Sequence, residues 1–238
     1  MQVLVTGSAG RIGQVLITGL RERHKIRGYD VQSTPNIDDC IVADLSDLDR
    51  LIAAAKGMDG IIHLGGVVGS ARSWDDVLRS NIIGMRNALE ASRRQGIRRF
   101  VFASRAGLVE IYPRRLMRTV DLPTRPLDDY SASKAFGEQL GYRYHKEFGI
   151  EFVAVRIGAF YADQTDTRHP HDLSHDDAVR VFEAALTHPE VGFEIVFGVS
   201  DAAWALYDLD HGRRAIGYHP RDRCELTEQE DASPRFRN

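Results

Sequence analysis

Cysteine is scarce in this chain: among 238 residues only Cys40 and Cys224 occur, and neither belongs to a CxxC pair. No disulfide framework is therefore expected. No apolar run approaches the roughly 18 residues that a membrane-spanning helix needs. A strand is predicted directly at the N-terminus, which leaves no room for a signal peptide. Together these absences predict a protein of the reducing cytoplasm with no membrane partner.

An excess of basic residues is also missing. The chain has 31 Lys and Arg against 34 Asp and Glu, which gives a formal net charge of −3. This balance gives no reason to expect binding to nucleic acid. His169, His171 and His175 lie across a predicted loop and helix start without a matching set of acids. We predict no metal site from them.

Glycine, by contrast, is concentrated where the first predicted strand ends. Residues 3–5 form a short apolar run, Gly7, Gly10 and Gly13 follow at regular spacing, and helically spaced apolar residues come next. In such a unit the glycines allow a tight turn, a close approach of pyrophosphate to the backbone, and close packing of helix on strand. The first amides of the helix then face the phosphates. Asp30, 17 residues past Gly13, lies about where a ribose-binding carboxylate is expected.

Short apolar strands alternate with amphipathic helices along most of the chain. The predicted strands are residues 3–5, 26–30, 40–42, 60–64, 100–103, 152–156 and 194–197, and the predicted helices are residues 15–20, 46–55, 74–94, 130–148, 174–186 and 208–216. Repeated units of this kind predict an α/β fold, a Rossmann-type doubly wound parallel sheet with helices on both faces. We expect residues 1–222 to form one domain and residues 223–238 a polar C-terminal tail.

One predicted helix carries a phenol and an ammonium four residues apart, Tyr130 and Lys134. Residues at this spacing share a helix face. A free tyrosine has a pKa of about 10 and is a poor base at neutral pH. A nearby ammonium and a positively charged nicotinamide would lower that pKa. Such a tyrosine can accept a hydroxyl proton while hydride leaves the same carbon.

Further motifs accompany the glycines and the Tyr–Lys pair: Asp44-Leu45, His63-Leu64-Gly65-Gly66, Asn81-Ile82-Ile83-Gly84, Val155-Arg156-Ile157-Gly158, Ser174-His175-Asp176-Asp177 and Gly217-Tyr218-x-Pro220. This set resembles the short-chain dehydrogenase/reductase superfamily. The glycine spacing is similar to that of its extended, or NAD-dependent epimerase/dehydratase, branch, and the set is more similar still to bacterial uronate dehydrogenases. The resemblance implies substrate-binding elements mainly in residues 158–222.

The resemblance implies an NAD site and a catalytic group. The implied cofactor-binding residues are Gly7, Gly10, Arg11, Ile12 and Gly13 at the pyrophosphate, Asp30 at the ribose, Asp44 and Leu45 at the adenine, and Leu64, Gly65, Gly66, Asn81, Tyr130, Lys134 and Ile157 toward the nicotinamide. The implied catalytic residues are Tyr130, Lys134, Asn81 and a serine. A carboxylate at Asp30 would repel a 2′-phosphate, so NAD is favoured over NADP.

The serine is where the chain departs from the family. Its expected position, 25 residues before Tyr130, holds Arg105, with Ser104 one place early. Three hypotheses remain open. Arg105 replaces the serine and stabilises an oxyanion, Arg105 binds a substrate carboxylate or phosphate, or a local shift brings Ser104 into the site. A cation beside Tyr130 would also lower the pKa of the phenol. Arg168 matches the arginine that binds the substrate carboxylate in the subgroup.

The sequence thus predicts an NAD-dependent oxidoreductase that acts on a hydroxyl or carbonyl of a small, anionic substrate, a sugar or sugar acid. Tyr130, Arg105 and Arg168 are the predicted substrate-binding residues. The alternatives are a sugar epimerase or dehydratase that recycles its NAD, and a dinucleotide-binding protein without turnover. By analogy with the superfamily, a homodimer through the helices at 74–94 and 130–148 is expected.

Overall fold

The computed structural model describes residues 1–69, 71–163 and 165–230. Seven of its strands form one sheet: β1 (Gln2–Thr6), β2 (Lys25–Asp30), β3 (Cys40–Val42), β4 (Gly60–His63), β5 (Arg99–Arg105), β6 (Glu151–Ile157) and β7 (Phe193–Gly198). Their order is β3-β2-β1-β4-β5-β6-β7, and every neighbouring pair is parallel. The predicted Rossmann-type doubly wound sheet is confirmed.

The helices connect these strands across both faces of the sheet: α1 (Arg11–Leu20), α2 (Leu48–Ala55), α3 (Trp74–Val77), α4 (Gly84–Arg94), α5 (Asp129–Phe148), α6 (His175–Thr187) and α7 (Asp210–Ile216). The sequence predicts one regular helix over residues 74–94. The structure inserts a π-helical stretch, Leu78–Ile83, between α3 and α4. Such wider turns are frequent at functional sites. No helix in the described part of the chain is long and apolar enough to cross a membrane.

The core has two layers because successive side chains of a strand point to opposite faces of the sheet. Val3 and Val5 pack on the face covered by α1 and α6, while Leu4 packs on the face covered by α2, α4 and α5. Both faces of the central strands are buried, so these strands are apolar throughout. This explains why they read as continuous apolar runs and not as alternating ones.

The strand order reverses between β1 and β4. From β1 the chain builds outward through β2 and β3, then returns to add β4 on the other side of β1. Loops at the carboxyl ends of these two strands diverge, and ligands of open α/β sheets bind in the crevice between them. The ends of β5 and β6 lie at the same edge, since Arg105 pairs with Ile157 in parallel register.

The prediction of a polar tail from residue 223 onward is wrong for its first two residues. Arg223–Cys224 forms a strand, β9, that pairs in parallel with β8 (Asp201–Ala202). The side chain of Cys224 is buried, so this segment packs on the domain although its composition is polar. Of the rest of the predicted tail, residues 231–238 lie outside the described part of the chain.

Candidate active site

The turn after β1 has the shape that a phosphate loop requires. Gly7 has φ +71°, in the left-handed region that favours glycine, and a Cβ atom at Gly13 would overlap the carbonyl oxygen of Gly7. Gly10 precedes α1 without a side-chain cap, and the first turn of α1, which begins at Arg11 and Ile12, carries no acid. The first amides of that helix therefore suit a phosphate group, so the loop fits the pyrophosphate of a dinucleotide.

Asp30 lies at the carboxyl end of β2, beside the same loop. Its carboxylate accepts hydrogen bonds from Ala9 N at 3.0 Å and from Gln32 N at 3.2 Å. The structure therefore brings Asp30 to the glycine loop, as its predicted role requires. These amides fix the carboxylate in place, and each of its oxygens can accept a further bond.

The loops after β1 and β4 meet in close contact. A Cβ atom at Gly7 would lie 2.7 Å from the backbone N of Gly65, and one at Gly65 would lie 2.8 Å from Cδ1 of Leu45. Leu64 is half-buried and packs against the core. Asp44, just before Leu45, forms a 3.1 Å ion pair with Arg79. The predicted adenine and nicotinamide segments thus lie next to each other beside the glycine loop.

Asn81 lies in the π-helical stretch and connects two parts of the site. Its side-chain amide exchanges hydrogen bonds with the backbone of Val67, at 2.8 and 3.1 Å, and donates to Ser133 Oγ at 2.9 Å. Val67 belongs to the loop after β4, whereas Ser133 lies on α5 next to Lys134. Asn81 therefore holds the β4 loop against the helix that carries the predicted base.

Lys134 is almost fully buried, and its ammonium donates to the carbonyl oxygen of Ala103 at 2.8 Å. The ammonium lies 5.7 Å from the ring centroid of Tyr130. Burial lowers the pKa of Lys134 to about 8, because a charged ammonium loses its hydration inside the protein. The structure confirms that the phenol and the amine share one face of α5.

The pKa of Tyr130 is raised, not lowered, and the predicted contribution of Lys134 with bound nicotinamide stays a prediction. Burial of the phenol raises its pKa, the guanidinium of Arg105 lowers it, and the carboxylate of Asp128 raises it. Burial dominates because a phenolate loses more hydration than a phenol does. The cation that opposes this effect is Arg105, at the end of β5.

Arg105 lies over the candidate base. The Cζ atom of its guanidinium is 5.4 Å from the ring centroid of Tyr130, and its Nη1 donates to Ser131 Oγ at 3.0 Å. Two carboxylates face the same group, Asp128 at 3.6 Å and Glu110 at 3.8 Å. Arg105 is therefore oriented toward the start of α5 and not toward the core.

Ser104 points the other way, as the one-residue offset in a strand requires. Its hydroxyl is buried and donates to Glu138 Oε1 at 2.6 Å. Glu138 in turn accepts two hydrogen bonds from Arg156, at 2.9 and 2.8 Å. The hypothesis that a local shift brings Ser104 to Tyr130 is therefore wrong in this structure. Ser104 belongs to a buried ionic network between β5, β6 and α5.

The predicted substrate region supplies less contact with the base. Ile157 ends β6 beside Arg105. Arg168 is exposed over 69% of its side chain and forms a 3.5 Å ion pair with the equally exposed Asp166. Its backbone N donates to Asp172 at 2.9 Å. The guanidinium of Arg168 thus lies on the surface of a loop, where it stays a predicted substrate ligand.

The three histidines of this region bond to nearby protein groups, and His169 Nδ1 accepts from the backbone N of His171 at 3.0 Å. The Nδ1 atom of His171 shares a 2.6 Å hydrogen bond with the hydroxyl of Tyr207, and the Nε2 atom of His175 lies 2.8 Å from the carbonyl oxygen of Tyr161. In the described ranges no group of three or more His, Cys, Asp or Glu side chains could hold a metal ion.

Sequence reasoning missed three residues of this site: Asp128, Ser131 and Glu110. Asp128 caps α5 by accepting from Ser131 N at 2.6 Å, and an aspartate at the start of a predicted helix is a capping signal in the sequence. Glu110 carries no such signal; both Glu110 and Gly107 are close to Arg105. They reach Arg105 because a 3₁₀ turn, Ala106–Val109, folds back directly after β5.

Comparisons with known proteins agree with this geometry. Residues 3–176 match the model of the NAD dependent epimerase/dehydratase family. The chain is 35% identical to a uronate dehydrogenase of Pseudomonas syringae pv. tomato over 98% of this chain and 86% of that protein. It is 37% identical to one from Agrobacterium fabrum over 94% and 86%, respectively. A solved uronate dehydrogenase from Agrobacterium tumefaciens, a mutant complexed with NAD, superimposes with a TM-score of 0.86 at 34% identity, covering 93% of this chain and 85% of that one.

Proposed function

This chain belongs to the NAD dependent epimerase/dehydratase family, and on that premise we propose that it is an NAD-dependent dehydrogenase that oxidises a hydroxyl group of a small sugar acid. The predicted resemblance to the extended short-chain dehydrogenases and to uronate dehydrogenases is confirmed. The observation that carries the proposal is the convergence of the glycine loop, Asp30, Tyr130 and Lys134 at one edge of the sheet.

NAD is the cofactor that the site suits. The turn formed by Gly7, Gly10 and Gly13 would hold the pyrophosphate, Asp30 the adenosine ribose, and Lys134 the nicotinamide ribose. Bound NAD supplies a hydride acceptor, which protein side chains lack. The carboxylate of Asp30 favours NAD over NADP because it would repel a 2′-phosphate.

The chain's own residues supply the proton transfer and the positioning. Tyr130 would accept the proton of the substrate hydroxyl as general base. Lys134, fixed by the carbonyl oxygen of Ala103, keeps a cation within 5.7 Å of the Tyr130 ring. Asn81 bonds to both the β4 loop and α5, so the base and the cofactor segments stay together.

We propose that the substrate is small and anionic. Arg168, on the loop between β6 and α6, is our proposed ligand for the substrate carboxylate, and residues 158–222 are the proposed substrate-binding region. The ion pair between Arg168 and Asp166 is exposed, and exposed ion pairs contribute little to stability. An incoming carboxylate could therefore replace Asp166 at small cost.

The test is a screen for NADH formation at 340 nm over uronic acids, neutral aldoses and other hydroxy acids, together with the Tyr130→Phe variant. We expect accumulation of NADH with a uronic acid, and loss of turnover in Tyr130→Phe with NAD affinity retained. An enzyme that recycles its NAD would release product without net NADH. Undiminished turnover in Tyr130→Phe would refute the proposed base.

We further propose that two copies of the chain pair through the helical segments at 74–94 and 129–148. Large apolar side chains are exposed there, among them Ile83 at 40%, Phe136 at 37% and Tyr142 at 46%. Phe136→Asp should then lower the mass measured by light scattering to that of one chain, whereas the same mass in both proteins would contradict the pairing.

Both cysteines are free, which supports a cytoplasmic location.

A further inference from the structure

Arg105 is held against the ring of Tyr130 by neighbours that leave its guanidinium little freedom. Its Cζ atom lies 5.4 Å from the ring centroid. Ser131, the residue after the phenol, accepts a hydrogen bond from Nη1 at 3.0 Å. The side chain of Arg105 is only 29% exposed. A cation placed in this way interacts directly with the ring and with the charge of the phenolate form.

Gly107 provides the space that the guanidinium occupies. A Cβ atom at Gly107 would overlap Nε of Arg105 and would lie 2.8 Å from both Cζ and Nη2. Any side chain at residue 107 would therefore displace the guanidinium from its place. The 3₁₀ turn brings Gly107 back onto Arg105, so the two residues are matched in the structure.

Two carboxylates decide between the remaining hypotheses for Arg105. Asp128 lies 3.6 Å and Glu110 lies 3.8 Å from its guanidinium nitrogens. A substrate carboxylate would have to compete with both, so an anion-binding role is disfavoured. The same two carboxylates hold the guanidinium in place beside the phenol. The arrangement is that of a charge fixed beside the base.

We propose that Arg105 is a positioning residue for Tyr130, which holds a fixed positive charge against the phenol and depends on Gly107 for the space to do so. The charge favours the phenolate, which is the form that accepts a proton. The charged groups around the phenol are Arg105 from β5, Lys134 from α5 and Asp128 at the start of α5, with Glu110 behind Arg105. The need for a phenolate rests on the proposed function, but the effect of the charge on Tyr130 does not.

The experiment measures the ionisation of Tyr130 directly. The full chain has eight tyrosines, and labelling them with ¹³C at Cζ gives one resonance each. The resonance that is missing in Tyr130→Phe reports on Tyr130. In Arg105→Gln we expect its pKa to rise by on the order of one unit, and in Arg105→Lys to rise by less. Gly107→Ala should raise it as well, because it keeps the charge but moves it away.

A matched variant gives the opposite sign. Asp128→Asn keeps the helix cap but removes a negative charge, so the pKa of Tyr130 should fall. A merely structural role for Arg105 would not produce shifts of opposite sign in Arg105→Gln and Asp128→Asn. An unchanged Tyr130 pKa in Arg105→Gln would overturn the proposal, and an unchanged value in Gly107→Ala would overturn the part assigned to Gly107.

Activity separates this proposal from the proposed function. If both hold, the acid limb of the pH profile of kcat/KM moves upward in Arg105→Gln and downward in Asp128→Asn, together with the resonance. Shifts of the resonance in a protein that oxidises no substrate would support the charge proposal and count against the dehydrogenase. If the protein oxidises a substrate but none of the variants shifts the Tyr130 resonance, the dehydrogenase is supported and the charge proposal is refuted.

Discussion

Removal of the Ser104 hydroxyl should cost stability and leave turnover nearly intact. Ser104→Ala deletes the group that donates to Glu138 Oε1 at 2.6 Å. Glu138 and Arg156 form a buried ion pair with side chains 1% and 2% exposed. Water cannot replace the lost donor there, and the carboxylate keeps only its bonds to Arg156 among those described.

The expected magnitude follows from the charge of the acceptor. A hydrogen bond to a charged group contributes about 1.5–3 kcal/mol to the free energy of unfolding. For a chain of this size each kcal/mol corresponds to about 2–4 °C in Tm, so Ser104→Ala should lower Tm by roughly 3–12 °C. Ser92→Ala is the matched control, since the buried Ser92 hydroxyl donates to the neutral carbonyl oxygen of Ile97 at 2.8 Å. Its cost should be smaller, about 0.5–1.5 kcal/mol.

Thermal unfolding followed by circular dichroism measures the first quantity, and the rate of NADH formation measures the second. The loss in Tm should be larger for Ser104→Ala than for Ser92→Ala, while kcat stays close to that of the parent. A fall in kcat of about a hundredfold with an unchanged Tm would refute this reasoning. It would mean that Ser104 leaves Glu138 and takes part in the chemistry.

Two further predictions concern the cofactor site and the buried amine. Asp30→Asn should reduce the preference for NADH over NADPH at least about tenfold, since a charge-assisted bond is weakened and the repulsion of a 2′-phosphate is lost. Fluorescence titrations measure this ratio, and Asp39→Asn, at an exposed carboxylate paired with Arg27, should leave it unchanged. The folded-state pKa of Lys134 is about 8, below the 10.4 of a free lysine. Between these two pKa values the unfolded state binds more protons than the folded state, so stability rises with pH. The contribution of Lys134 to stability is complete above the unfolded pKa and is lost as pH falls through 8. Urea unfolding at pH 7.5 and 10 should show a rise in stability of up to about 3 kcal/mol in the parent relative to Lys134→Met, and parallel curves would contradict it.

Much of the fold could be predicted because it depends on local patterns. The sequence predicts each strand of the main sheet to within two residues, since buried parallel strands are short apolar runs between turn residues. The helix over residues 74–94 was predicted only as a regular helix. Periodicity does not reveal its π-helical stretch, which is stabilised by bonds from Asn81 to Val67 and Ser133. These partners lie on other elements of the fold.

The sequence by itself determined the parallel sheet, the glycine loop and the shared helix face of Tyr130 and Lys134. The alternation of strands with helices, the turn geometry and the helical repeat all depend on residues close in the chain. Only the tertiary structure decided that Ser104 binds Glu138, that Arg105 lies over Tyr130, and that residues 223–224 pair with residues 201–202. Those outcomes depend on burial and charge between segments far apart in the chain, and no local spacing encodes which distant groups meet.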